Sequence, residues 1–220
     1  ELKSNVNLHL DFGTLLLGST RLSDYDNAFP FKDGSMNQSS GLLFARGQKN
    51  ISITGFGTID GQGGNKTFQF GNDADGGPKR PKIIYFVECK GIVVTDVTLR
   101  NSAYWVQHYE KCEDVTIRGL KVFSHCNYNN DGLDIDAKNA TISDCYIDVE
   151  DDAICFKSDH PEFCENITVT NCVTASNCNA IKFGTASHGG YRNIAVSNCV
   201  VRRAAEDNIR HWSKQLEHIS

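Results

Sequence analysis

The sequence predicts an all-β solenoid, a single-stranded right-handed parallel β-helix of stacked 23–27-residue coils, from three features. The chain repeats itself, the repeats alternate apolar and polar residues, and asparagine recurs at one fixed place in them. The repeat is explicit in Asn139–Cys145 (NATISDC), Asn166–Cys172 (NITVTNC) and Asn193–Cys199 (NIAVSNC), each starting 27 residues after the last. Looser copies start at Asn50, Gly91 and Asp114. All are rich in Ile, Val and Thr with a period of two, which is the pattern of a strand with one buried face.

A second strand follows in the same register. Ala153-Ile154-Cys155-Phe156 lies 27 residues before Ala180-Ile181-Lys182-Phe183; Gly132-Leu133-Asp134-Ile135 precedes them and Asn208-Ile209-Arg210-His211 follows. A unit this short cannot bury its apolar face alone and must stack on copies of itself. Leucine-rich repeats have a comparable period but need a Leu scaffold that is missing here. A parallel β-helix needs Val, Ile and small residues inside and Asn at the bends, where its side chain bonds backbone groups. Asn139, Asn166 and Asn193 are expected to form one ladder, and Cys145, Cys172 and Cys199 another, about 4.8 Å per step. The nine cysteines include no CxxC pair, which speaks against a zinc ribbon. The laddered ones read as small apolar core residues, with disulfides as the other reading.

Composition narrows the function. A formal charge of −5 with scattered Lys and Arg argues against nucleic acid as a partner. No apolar run approaches the roughly 20 residues that cross a bilayer. No signal peptide opens the chain. Residues 1–220 are expected to be one β-helix domain, read as a fragment lacking N- and C-terminal coils because the pattern starts and stops in mid-repeat.

The register also gathers acids. Asp131, Asp152, Asn179 and Asp207 each precede the second strand of successive coils, and Asp151 adjoins Asp152. Stacked coils would crowd at least three carboxylates within about two coil spacings, on a column expected to be exposed. Crowded like charges raise one another's proton affinity, so one acid keeps its proton while another serves as a base. Glycoside hydrolysis needs that division. A solvated acidic turn, or a Ca²⁺ site of oxygen ligands, accounts for the same spacing.

Four segments resemble motifs of the polygalacturonase-like glycoside hydrolases (family 28): Gly57-Thr58-Ile59-Asp60-Gly61, Leu99-Arg100-Asn101-Ser102-Ala103-Tyr104-Trp105, Asn129-Asn130-Asp131-Gly132-Leu133-Asp134-Ile135 and Glu150-Asp151-Asp152-Ala153-Ile154. They occur in the family's order over essentially the whole chain. The resemblance implies an inverting hydrolase of a pectic, uronic-acid-containing polysaccharide. Asp152 would be the general acid, and Asp131 and Asp151 would hold and activate water. Asn129, Asn179, Lys182 and Arg210 would contact substrate. It implies no cofactor or metal, a monomer, and a secreted or periplasmic location.

The chain departs from the family downstream. Asn179 stands where the family carries the His of Gly-His-Gly, and His188 is the nearest substitute. Arg210 matches the Arg of Arg-x-Lys, but Trp212 replaces its Lys; Lys182, one coil away in the same column, can supply the charge. Arg suits a substrate carboxylate because its planar fork pairs with it through two bonds. Trp212 reads either as a sugar-stacking ring or as core. His108 and His125 read as surface or loop residues, with a place lining the cleft as the other reading. Asn37, Asn65, Asn139 and Asn166 fit the glycosylation sequon. Two other functions remain open: a Ca²⁺-dependent polysaccharide lyase on the same fold, and a glycan-binding β-helix without catalysis.

Overall fold

The computed structural model describes residues 1–25, 40–68 and 80–204. They wind into a right-handed parallel β-helix with three faces, every described strand pairing parallel with its neighbours in the coils before and after. The first face holds Gly41–Arg46, Lys82–Val87, Ile154–Ser158, Ile181–Ser187 and the leading halves of Gln107–Arg118 and Leu133–Ser143. The second holds Val6–Leu10, Lys49–Gly55, Lys90–Thr95, the trailing halves of the two long strands, Cys164–Thr170 and Tyr191–Ser197. The third is a seven-stranded ladder from Leu15–Leu17 to Val200–Arg202. The predicted strand pairs hold: Ile142 pairs with Ile117 and Val169, and Ile154 with Leu133 and Ile181.

The coil turns corners because particular residues accept a left-handed backbone. Asn50, Asp114, Asn139, Asn166 and Asn193 enter the second face with φ between 54° and 58°. Asn and Asp tolerate this region through local hydrogen bonds, whereas most L-residues pay about 1–2 kcal/mol. The amides also bond to each other along the helix: Asn166 Nδ2 donates to Asn139 Oδ1 at 3.1 Å, and Asn193 Nδ2 to Asn166 Oδ1 at 2.9 Å. The next bend repeats the device with Asp96, Asp144, Asn171 and Asn198.

Inside, like stacks on like. Ile53, Val94, Ile117, Ile142 and Val169 are each at most 1% exposed in one column of the second face. Each such burial is worth about 1.5–3 kcal/mol against exposure. Every described cysteine is free; Cys145 and Cys172 are buried at corresponding corners as core residues, while Cys199, the third of the predicted ladder, is only partly buried against them.

Candidate active site

The acids lie where the third face hands over to the first, in the connections 125–132, 150–153 and 177–180. These are held as tightly as strands. Asn130 is fully buried; its amide donates to the carbonyls of Ser102 (2.9 Å) and Tyr104 (3.0 Å), and its oxygen accepts from Ser124 Oγ (2.9 Å). Gly132 N–H donates to Asp152 O and Ala153 N–H to Asn179 O, both at 2.8 Å, so the parallel ladder runs on through the connection. Only glycine fits at 132, where a Cβ would lie 2.5 Å from Ile147 Cγ2 and 2.7 Å from Ala153 O. Asp131, Asp152 and Asn179 therefore stack one above the other, as the repeat predicts.

Their surroundings differ from the exposed column expected. Asp131 and Asp152 are 3% and 1% exposed, and Asp151 is only half-buried, so a solvated acidic turn is ruled out. Asp131 faces Lys157, whose Nζ is 4.0 Å from Asp131 Oδ2 and 3.2 Å from Asp134 Oδ1 and sits 4.5 Å over the Trp105 ring. Asp151 Oδ1 accepts the Asp152 N–H at 2.9 Å, and its Oδ2 accepts Asn129 Nδ2 at 3.4 Å. Asp152 Oδ1 accepts Asn179 Nδ2 and its Oδ2 accepts Lys182 Nζ, both at 2.7 Å.

Burial and then the charges of Asp134 and Asp151 drive the Asp131 carboxyl well above the carboxylate range, only partly offset by Lys157. Burial lifts Asp134 to about 6 against the pull of Lys157. Burial works against the Lys157 ammonium, but Asp134 and Asp131 outweigh it and hold its proton more firmly than usual. A proton is thus stored among buried acids beside a permanent cation, the condition that acid–base hydrolysis requires. Asp152 is different, since both its oxygens face donors and one of them is cationic.

Cys178 adjoins the acids. Its Sγ and a carboxylate oxygen from each of Asp151 and Asp152 lie within 4.8 Å of one another. A calcium ion takes 6–8 oxygen ligands, whereas this set contains a thiol and Asp152 already meets an ammonium. The donor chemistry favours lysine-compensated acids over a Ca²⁺ site.

Arg210, with Asp207 and Trp212, lies outside the described residues. His188 is exposed, in the bend between first and second faces at the far end of its strand from Asn179, and does not replace the family histidine. His108 is not a surface residue: it is 4% exposed, stacked on Tyr85 with centroids 5.3 Å apart and edge-on to Trp105 at 5.0 Å. Burial, then Lys82 and Lys157, press its pKa well below the usual value, so it is neutral. His125 is part-buried, with Nε2 2.8 Å from Asp148 Oδ1.

Three contributors escaped the sequence reading. Lys157 is legible only as a charge at an alternate position of an otherwise apolar strand. Arg80, 2% exposed, donates to Tyr128 O at 2.6 Å, Ala103 O at 3.2 Å and Asn129 Oδ1 at 3.3 Å, with its guanidinium 3.6 Å from the Tyr128 ring centre. It pins the connection that carries Asn129 and Asp131. Glu150 accepts the N–H groups of Asn130 and Asn129 from the preceding coil; burial and then Asp151 raise it to about 7.

Residues 26–211 match the model of glycosyl hydrolases family 28. A probable polygalacturonase of Vitis vinifera is 30% identical over 174 residues, 74% of this chain and 35% of the relative. The polygalacturonase of Saccharomyces cerevisiae is 29% identical over 157 residues, 68% of this chain and 41% of its own. The chain thus spans about a third to two fifths of the length of these curated relatives. The same fold occurs in the hyperthermoactive exopolygalacturonase of Thermotoga maritima, at a TM-score of 0.77 and 23% identity over 92% of this chain and 57% of that one. The polygalacturonase of Erwinia carotovora ssp. carotovora superposes at 0.73, with 21% identity over 92% and 59%. With the family model spanning most of its length, the chain belongs to glycosyl hydrolases family 28.

Proposed function

We propose that the protein hydrolyses glycosidic bonds of a pectic, uronic-acid-containing polysaccharide by an inverting acid/base mechanism carried by Asp131, Asp151 and Asp152. The observation behind this reading is the gathering of these three carboxylates from two adjacent coils, with Asp131 4.0 Å from Lys157, Asp152 2.7 Å from Lys182 and an oxygen of Asp151 within 4.8 Å of one of Asp152. One acid protonates the departing glycosidic oxygen while a carboxylate activates water on the opposite face of the sugar. Burial and the neighbouring acids make Asp131 hold a proton more tightly than an ordinary carboxyl, and Asp151 is the one of the three that is only half-buried. Asn129, Asn179 and Lys182 border the acids and Arg210 completes the substrate contacts. The curated relatives bear the names of polygalacturonases, which favours galacturonan as the substrate.

The protein acts as a monomer outside the cytoplasm, where polymeric cell-wall substrates are found. Among the described residues, no helix is long and apolar enough to cross a membrane. Residues 1–220 form one β-helix domain of this enzyme.

The test is a reducing-sugar assay of the full-length protein on a panel of pectic polymers, with and without chelator. New reducing ends insensitive to chelator are expected. Chelator-sensitive products absorbing in the near ultraviolet would identify a lyase. Oligosaccharide binding without new ends would leave a glycan-binding module.

A further inference from the structure

Lys182 stands in the outward column of the first face, where it pairs with Cys155, which pairs in turn with Asp134 one coil further on. A strand position gives its side chain a fixed origin, and its ammonium closes on Asp152 Oδ2 at 2.7 Å while Asn179 holds Oδ1 at the same distance. Asp152 is surrounded by charge. Asp151 and Cys155 face it from its own coil, Asp131 and Asp134 from the preceding coil, and Cys178, Asn179 and Lys182 from the following one. The described lysines divide these acids between them: Lys157 serves Asp134 and Asp131, and Lys182 serves Asp152.

We propose that Lys182 is a positioning residue which, with Asn179, holds Asp152 as a carboxylate and so commits it to the base side of the reaction. An opposite charge in contact favours the ionised acid, and amide donation to the second oxygen adds to it. Asn179 stands where the family carries its histidine, and Lys182 brings a positive charge to the same carboxyl. Asn179 has no proton to lose and cannot supply that charge itself. This rests on the hydrolase reading above, because a water-activating base has meaning only there.

The experiment is the pH profile of kcat/KM on galacturonan oligomers for the full-length protein and its Lys182→Met, Lys182→Gln and Lys182→Arg variants. A base must be ionised, so the neutral variants are expected to lose activity from the acid side. Their acidic limb moves up by about one to three pH units, while Lys182→Arg keeps the original limb. An unmoved acidic limb with a raised KM would overturn the proposal and make Lys182 a substrate contact. A shift of the basic limb instead would make Asp152 the proton donor and overturn it too. Carboxyl ¹³C titration, with Asp152 assigned by Asp152→Asn, separates this inference from the hydrolase reading. Even where the unsubstituted protein cleaves no pectic polymer, a higher Asp152 midpoint in Lys182→Met upholds the charge lock, and an unchanged one overturns it.

Discussion

Replacing Asp136 by Asn should make the protein more resistant to denaturation at alkaline pH and leave it almost unchanged in acid. Asp136 is 5% exposed on the outward side of the first face, and its Oδ2 accepts the Asp159 N–H at 3.4 Å, a bond that an Asn oxygen can keep. Burial raises its carboxyl from 3.8 to about 7, with His160 pulling the other way. A folded-state pKa above the unfolded one means that the native protein binds the proton more tightly. The stability this supplies is complete below about pH 4 and is lost as pH climbs through 7. Between pH 4.5 and 8 the two titration curves differ by about 3 kcal/mol at about 1.36 kcal/mol per unit. Urea midpoints of the two proteins at pH 4.5, 6 and 8 should therefore diverge steadily, the variant gaining on the parent by up to that amount. Parallel midpoints across the range would refute the claim that Asp136 is a buried, strained acid.

Asp152→Asn should lower turnover on pectic substrate by several orders of magnitude while the β-rich far-ultraviolet spectrum persists, because the amide keeps the shape but cannot activate water; wild-type rates would remove Asp152 from the catalytic set. Arg80→Lys removes the planar fork that holds the 126–130 connection. Turnover should fall by about 10²-fold, as expected for a small misplacement of reacting groups, with a lower urea midpoint; unaltered kinetics would show that the connection holds itself. Asn166→Ala, at φ 58°, should cost about 1–2 kcal/mol, and Asn166→Gly should recover most of it. Equal losses in the two variants would put the effect in the lost amide ladder instead of the backbone.

Solenoid, bend asparagines and the column of acids were legible in the sequence because a repeat turns distance along the chain into adjacency in space. Equivalent positions of successive repeats must become neighbours once the coils stack, so Asp131, Asp152 and Asn179, 21 and 27 residues apart, could be aligned by their place before the second strand. The same logic reaches the cysteines: a residue recurring at an inward corner packs against its own copies. What counting could not supply was the environment of each acid. Whether a carboxyl is solvated or buried depends on the Trp105 connection and on Lys157, side chains to which the repeat does not point. The identity of each acid's partner followed the same rule, since Lys182 was visible as a spare charge but not as the group touching Asp152. Repeat spacing sets which backbones are adjacent, while side-chain reach and burial decide where protons reside, and those arise only when the coils close on one another.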